Sequence, residues 1–275
     1  TISKVTHDIV RTVAPEVPAT YLPHSVNPDI FRPLTDLQID EIRNRTLQEE
    51  DRSKVIFFWN NRNARRKQSG SLVWWFKEWL DKEDLHDKAS LIMHTEPKDP
   101  HGQDLEHIID HLGLKDRQIM LSTTKVTPEN LSEIYNMVDC TINISDAEGF
   151  GLATLESLSC GTPIIATLTG GLQEQVTDGT EDFGVGLLPR SKSVIGSQQV
   201  PYIYEDRIDK AQFHSALTKI YKMGRQGRKE MGTLGRSHVM KNYNFNNLQD
   251  KWIEIIDKTL QERNEYNGIR FKEIA

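Results

Sequence analysis

The feature that most restricts the fold is a repeated alternation in which short runs of Val, Ile, Leu and Phe are separated by longer stretches with apolar residues at helical spacing. Buried parallel strands joined by helical crossovers produce this pattern: a strand covered on both faces is apolar throughout, whereas a crossover helix needs only one apolar stripe. Strands are expected at 55–59, 90–94, 118–121, 140–144 and 163–166, and helices at 72–80, 105–112, 131–138 and 152–158. Thr127 and Pro128 supply an N-cap and a first-turn proline for the third helix. The expected class is α/β, a Rossmann-like doubly wound parallel sheet with C-terminal helices, and its ligands should bind beyond the carboxyl ends of the strands.

Both ends of the chain read differently. Segment 21–33 holds three prolines in thirteen residues and should be an extended linker, which implies something before it. Segment 189–205, with Ser, Gln and Gly scattered through it, reads as a long surface loop. Beyond residue 206 helices are expected at 210–223, 225–242 and 246–263, the last with Leu248, Trp252, Ile255, Ile256 and Leu260 on one face.

Composition removes whole classes of function. The 275 residues hold 34 Lys plus Arg against 40 Asp plus Glu, a net charge of −6, so binding nucleic acid through a broadly basic surface is not expected. Only 37% of residues are hydrophobic, and no run approaches the ~20 apolar residues of a transmembrane helix. Residues 1–20 lack the layout of a signal peptide, and two cysteines, Cys140 and Cys160, suit a reducing compartment; a cytoplasmic location is expected.

The chemistry concentrates in residues 143–166. A strand ends near Ile144, the glycines Gly149 and Gly151 follow, and a helix starts around Gly151 or Leu152. Unbonded N–H groups and the positive end of the helix dipole make such a start an anion site, and glycine lets a ligand approach the backbone. Glu156 lies one and a half turns into that helix, where a carboxylate can accept both hydroxyls of a vicinal diol, and Glu148 stands in the loop before it. Two carboxylates flanking an anion site suit a ligand with hydroxyls at both ends and phosphate between, the layout of a nucleotide-sugar. After the first strand come four cations in six residues, Arg62, Arg65, Arg66 and Lys67, able to neutralise a diphosphate.

These residues carry a family likeness. Glu148-Gly-Phe-Gly-Leu-x-x-x-Glu156 followed by Gly161-x-Pro163 resembles the signature of two glutamates with seven residues between them in retaining glycosyltransferases of family four, and Arg62 and Lys67 resemble that family's Arg and Lys. Val126–Asp139 is similar to its base-facing segment, Gly170-Gly171-x-x-Glu174 to its next turn, and 22–33 to its hinge; Asn61 stands where Gly is usual. The resemblance is to the carboxyl-terminal, donor-binding half of a GT-B enzyme. It implies transfer of a hexosyl unit from a nucleoside diphosphate sugar, GDP-mannose or UDP-glucose among the candidates, to a glycan or other hydroxyl acceptor, with retention and without metal or other cofactor. By position, Arg62 and Lys67 would hold the diphosphate and stabilise departing charge, and Glu148 would orient the sugar. Glu156 would bind the ribose, the backbone at Gly149, Phe150, Gly151, Leu152 and Ala153 would meet phosphate or sugar, and the backbone near Val126 would face the base. The implied division is 1–34 as the end of an amino-terminal domain plus hinge, 35–243 as the nucleotide-sugar domain, and 244–275 as a helix returning toward the amino-terminal half, which is needed in cis or in trans.

Plainer readings apply to several residues. Arg65 and Arg66 read as solvated neighbours, and Asp146 as a turn cap. Trp59, Trp74, Trp75 and Trp79 read as core or domain interface rather than a sugar-stacking set, and Cys140 and Cys160 as small buried residues. A dinucleotide-dependent oxidoreductase is discounted because Thr154 replaces the third glycine of its fingerprint. A sugar-nucleotide epimerase and a non-catalytic nucleotide-sugar-binding module that requires a partner remain as alternatives.

Overall fold

In strand β1 (Val55–Asn60) Ile56 and Phe58 face one side of a sheet while Phe57 and Trp59 face the other, and all four are fully buried. That two-sided burial sets the architecture of the chain. The computed structural model describes residues 1–114 and 117–265. Ahead of β1 lie α1 (Lys4–Val13) and α2 (Asp36–Thr46). After it come α3 (Ser69–Glu83), β2 (Ala89–His94), α4 (Leu105–His111), β3 (Ile119–Ser122) and α5 (Pro128–Met137). The second half runs β4 (Cys140–Asn143), α6 (Leu152–Ser159), β5 (Ile164–Thr167), α7 (Gln173–Val176) and β6 (Gly184–Leu187). A hairpin of β7 (Ser191–Ile195) and β8 (Ile203–Arg207) precedes α8 (Lys210–Lys222), α9 (Gly224–Asn242) and α10 (Phe245–Glu265).

The sheet has six parallel strands in the order β3-β2-β1-β4-β5-β6, with the reversal of winding between β1 and β4. On one face Phe57 and Trp59 pack with Phe76 and Trp79 of α3 and Phe213 of α8; on the other Ile56 and Phe58 pack with Tyr135 of α5, Leu155 of α6 and Val239 of α9. β1 meets β2 along six residue pairs but β4 along two, Phe57 with Cys140 and Phe58 with Thr141. The last two residues of β1, Trp59 and Asn60, therefore run past its paired stretch with β4.

Local chemistry sets the helix starts. Thr35 and Gln38 form a reciprocal capping box on α2, and the Thr127 hydroxyl accepts the Asn130 N–H at 3.3 Å with Pro128 next in line on α5. α9 lies so close to the turn after α6 that a Cβ on Gly232 would sit 1.7 Å from the carbonyl oxygen of Gly161.

Two expectations change. Segment 189–205 is an antiparallel hairpin paired from Ser191–Arg207 to Ile195–Ile203, not a loop; alternation along it is broken by exposed Val and Tyr, which hid the strands. Segment 21–33 is irregular as expected but packed, with Leu22, Val26 and Phe31 buried and the Val26 N–H bonded to the Tyr243 carbonyl at 3.3 Å. Trp59 and Trp79 are fully buried and Trp75 packs on the core, while Trp74 is half-exposed under Lys210. Along α10, Trp252, Ile253, Ile256 and Leu260 are all about half-exposed. Of segment 244–275, expected to return toward an amino-terminal half, residues 266–275 lie outside the described residues. Among the described residues no helix is long and apolar enough to cross a membrane.

Candidate functional site

Where β1 and β4 part company at their carboxyl ends, two loops face each other: residues 61–68 leave β1 and residues 144–151 leave β4. This is the point at which an open α/β sheet forms a crevice. The structure brings Lys67 of the first loop onto Glu148 of the second, the ammonium donating to the carboxylate, with side chains only 8% and 10% exposed. Burial holds the Lys67 pKa below its ordinary value, and the charge and hydrogen bond of Glu148 offset only part of that. Arg66 adds a second cation 3.7 Å from Glu148, and its guanidinium donates to the Ala147 carbonyl at 2.6 Å.

Gly149 and Gly151 continue the loop. Gly151 is the N-cap of α6 at φ +93, a left-handed conformation suited to glycine, and the first backbone bond of the helix runs from Leu155 N–H to its carbonyl. The N–H groups of Leu152, Ala153 and Thr154 lie ahead of that bond. A second glycine turn, Gly170–Leu172, presses on the first, so that a Cβ on Gly170 would stand 1.7 Å from the Glu148 carbonyl oxygen. The Phe150 ring is buried between His24 and Tyr243, its centroid 5.4 and 5.7 Å from theirs, and its carbonyl accepts from Gln175 at 2.7 Å. Phe150 thus anchors the loop by its side chain; Leu152 is exposed at the mouth.

Glu156 accepts the Tyr135 hydroxyl at 2.8 Å, and that hydroxyl in turn accepts Asn60 Nδ2 at 2.9 Å. Burial drives the carboxyl up to about 7, more than the Tyr135 hydrogen bond brings it down. Val126 lies half-buried in the loop before α5, the helix that supplies Tyr135.

Arg62 is not gathered with Lys67 and Glu148: its guanidinium forks onto Asp99 in the loop after β2, at 2.7 and 3.1 Å, and remains 62% exposed. Arg65 and Arg66 are solvated as expected, their side chains 55% and 43% exposed, but each also has a partner. Arg65 makes a two-pronged bond to Glu205 of β8 at 2.9 and 2.6 Å, and Arg66 is tied to loop 144–151. Asp146 is no turn cap; it is buried and its carboxylate accepts from Arg207 of β8 at 2.7 Å and from Gln68 at 2.5 Å. Asn60, Asp99, Glu205 and Arg207 are additions with no sequence signal, since each is a partner set by packing between distant segments. Tyr135 stood in the motif but without a role.

A cavity of about 610 Å³ lies at the other end of the sheet, before β1, β4 and β5, and includes none of the candidate residues. Its lining is cationic, seven Lys and Arg against Asp36, Asp40 and Asp139; Asp139 binds Arg228 at 2.8 Å and Arg43 at 3.4 Å, and Asp36 binds Lys229 at 3.0 Å.

Residues 39–226 match the family model for Glycosyl transferases group 1. D-inositol 3-phosphate glycosyltransferase of Paenarthrobacter aurescens is 36% identical over 75 residues, which is 27% of this chain and 18% of that protein. Sucrose-phosphate synthase from Thermosynechococcus elongatus superposes with a TM-score of 0.74 at 20% identity, over 95% of this chain and 58% of that one. Anabaena Alr3699/HepE, solved in complex with UDP-glucose, gives 0.63 at 13% identity over 87% and 57%. The match spans less than a fifth of the curated relative's length, and a little over half of each solved chain.

Proposed function

Since the chain belongs to the group 1 glycosyl transferases, matched over residues 39–226, we propose that it binds a nucleoside diphosphate sugar and supplies the donor-binding half of a retaining, metal-independent hexosyltransferase of GT-B type. The observation that carries this reading is the meeting of Lys67 and Glu148 at the crevice where β1 and β4 separate, beside a helix start with its N–H groups ahead of the first turn.

The donor diphosphate would sit at the start of α6, replacing Glu148 as the partner of the Lys67 ammonium, with Arg62 turning from Asp99 toward it. Glu148, released from Lys67, would accept sugar hydroxyls, and Glu156 would accept the ribose diol once ionised. As the glycosidic bond to the donor breaks, negative charge would gather on the departing diphosphate; Lys67, Arg62 once turned toward it, and the α6 dipole would stabilise that charge, the role a metal takes elsewhere. The acceptor would come from the side of the crevice that faces an amino-terminal half, in cis or in trans. A neighbour of similar fold solved with UDP-glucose supports a nucleotide-sugar as the ligand class.

Calorimetric titration of the chain with GDP, UDP and ADP, each with and without EDTA, tests the proposal. Saturable binding of at least one, unchanged by EDTA, is expected. Binding of none, or a strict magnesium requirement, overturns it.

A further inference from the structure

The hairpin that replaces the expected loop does not stand away from the molecule. Its inner strand β8 is tied to the two loops of the crevice by four bonds, two with Arg65 and two with Asp146. Glu205, buried on the inward face, takes both prongs of Arg65 at 2.9 and 2.6 Å and a bond from Arg207 at 3.2 Å. Arg207 donates to the Asp146 carboxylate at 2.7 Å, and the Asp206 N–H donates to the Asp146 carbonyl at 2.9 Å. Asp146 therefore has both its backbone oxygen and its carboxylate held by β8.

The same residue joins the two loops to each other. Its N–H donates to the Arg66 carbonyl at 2.8 Å, and its carboxylate accepts Gln68 Nε2 at 2.5 Å. Gln68 adopts φ +56, a left-handed conformation that a side-chain-bearing residue keeps only when its surroundings enforce it. Lys67 thus lies between two residues clamped to Asp146, and Glu148 lies two residues beyond Asp146.

We infer that the β7–β8 hairpin is the positioning device of the crevice: Glu205 and Arg207, whose bonds go to Arg65 and Asp146 rather than to Lys67 or Glu148, hold the loops that carry that pair in register. By fixing Glu148, the hairpin sets how strongly the site prefers a sugar-bearing donor over the bare nucleoside diphosphate. This second statement rests on the donor reading above; the clamp itself does not.

The experiment has two arms, run on the 275-residue chain with Arg207→Ala, Arg207→Lys and, from the other side of the clamp, Arg65→Ala. In the first arm hydrogen exchange is followed without ligand. Amides 145–150 of Arg207→Ala and Arg65→Ala should exchange about tenfold faster, as loss of the charge-assisted contacts of either arginine allows, while the strands β1, β2 and β4 keep the parent rates. Unchanged exchange at 145–150 overturns the clamp, whatever the ligand. In the second arm UDP, UDP-glucose, GDP and GDP-mannose are titrated. Arg207→Ala should lose about tenfold in affinity for the sugar-nucleotide that the parent binds and less than about twofold for its diphosphate, and Arg207→Lys should recover most of the loss. Equal losses for both ligands, or no recovery with lysine, would make the hairpin a general prop and overturn its positioning role. A parent that binds none of the four sinks the donor reading while the exchange arm still judges the clamp.

Discussion

Glu156 holds its proton up to about pH 7 because burial penalises the anion more than the Tyr135 hydroxyl rewards it. The ordinary value is 4.5, so between 4.5 and about 7 the folded chain carries a proton that the unfolded chain has lost, and stability falls as pH rises through that window. Glu156→Gln should abolish this slope: from about pH 5 to about pH 8 the parent should lose on the order of 2 kcal/mol relative to the variant in urea unfolding. Curves that run parallel would show an acid ionised throughout. The diol of a nucleotide donates its hydroxyls and so favours the anion; binding near pH 6.5 should release a proton, visible as a binding heat that changes with the ionisation enthalpy of the buffer. Glu156→Ala should weaken nucleotide binding by ~1.5–3 kcal/mol. At Glu148 the expected pattern differs, because its loss frees the Lys67 ammonium. Glu148→Gln should leave nucleoside diphosphate affinity unreduced and weaken the intact sugar donor, and titration of both ligands separates this from a general loss.

At the scale of elements, what the sequence disclosed was local. The loop from Glu148 to Gly151 and the start of α6 are set by residues adjacent in the chain, so the two glutamates and their glycines were readable before any coordinates. Helix α2 also had its signal, Thr35 three residues before Gln38, but lacked a clear apolar stripe, since Ile42 is its buried residue. The hairpin was misread because its strands bury little: β8 turns only Glu205 fully inward, and the partner that makes a buried acid tolerable, Arg65, is 140 residues away. The approach of α9 to the Gly161 turn was equally hidden. There Gly232→Ala would place a methyl group within 1.7 Å of a backbone oxygen, so helix and turn must separate, and a loss of about 2–3 kcal/mol is expected in urea unfolding. A variant as stable as the parent would mean that α9 can slide without cost.

For the whole molecule, the parallel sheet flanked by helices, with a crevice expected beyond the carboxyl ends of its strands, followed from the alternation of apolar runs, though its order and its sixth strand did not. Which charges pair across it did not, because Asn60 with Tyr135 and Lys67 with Glu148 join segments 75 and 81 residues apart. Trp252, Ile253, Ile256 and Leu260 leave α10 with a half-exposed apolar stripe. On the donor-half proposal, the 275-residue chain by itself should bind nucleoside diphosphate yet transfer sugar to acceptors at a small fraction of the rate seen once an amino-terminal half is added. Labelled donor incubated with candidate acceptors, with and without that half, measures this. Brisk transfer by the chain alone would place the acceptor site within these residues.

The two-residue seam between β1 and β4 has a mechanical meaning. The sheet is in effect two leaves on a short spine, β3-β2-β1 on one side and β4-β5-β6 on the other. Any molecule held at once by Lys67 on the first leaf and by the start of α6 on the second acts as a cross-brace at the open edge. Tension applied across the leaves would fall on that seam and on the bonds of Arg66 and Gln68 to the loop after β4, and an occupied crevice should resist a greater load than an empty one.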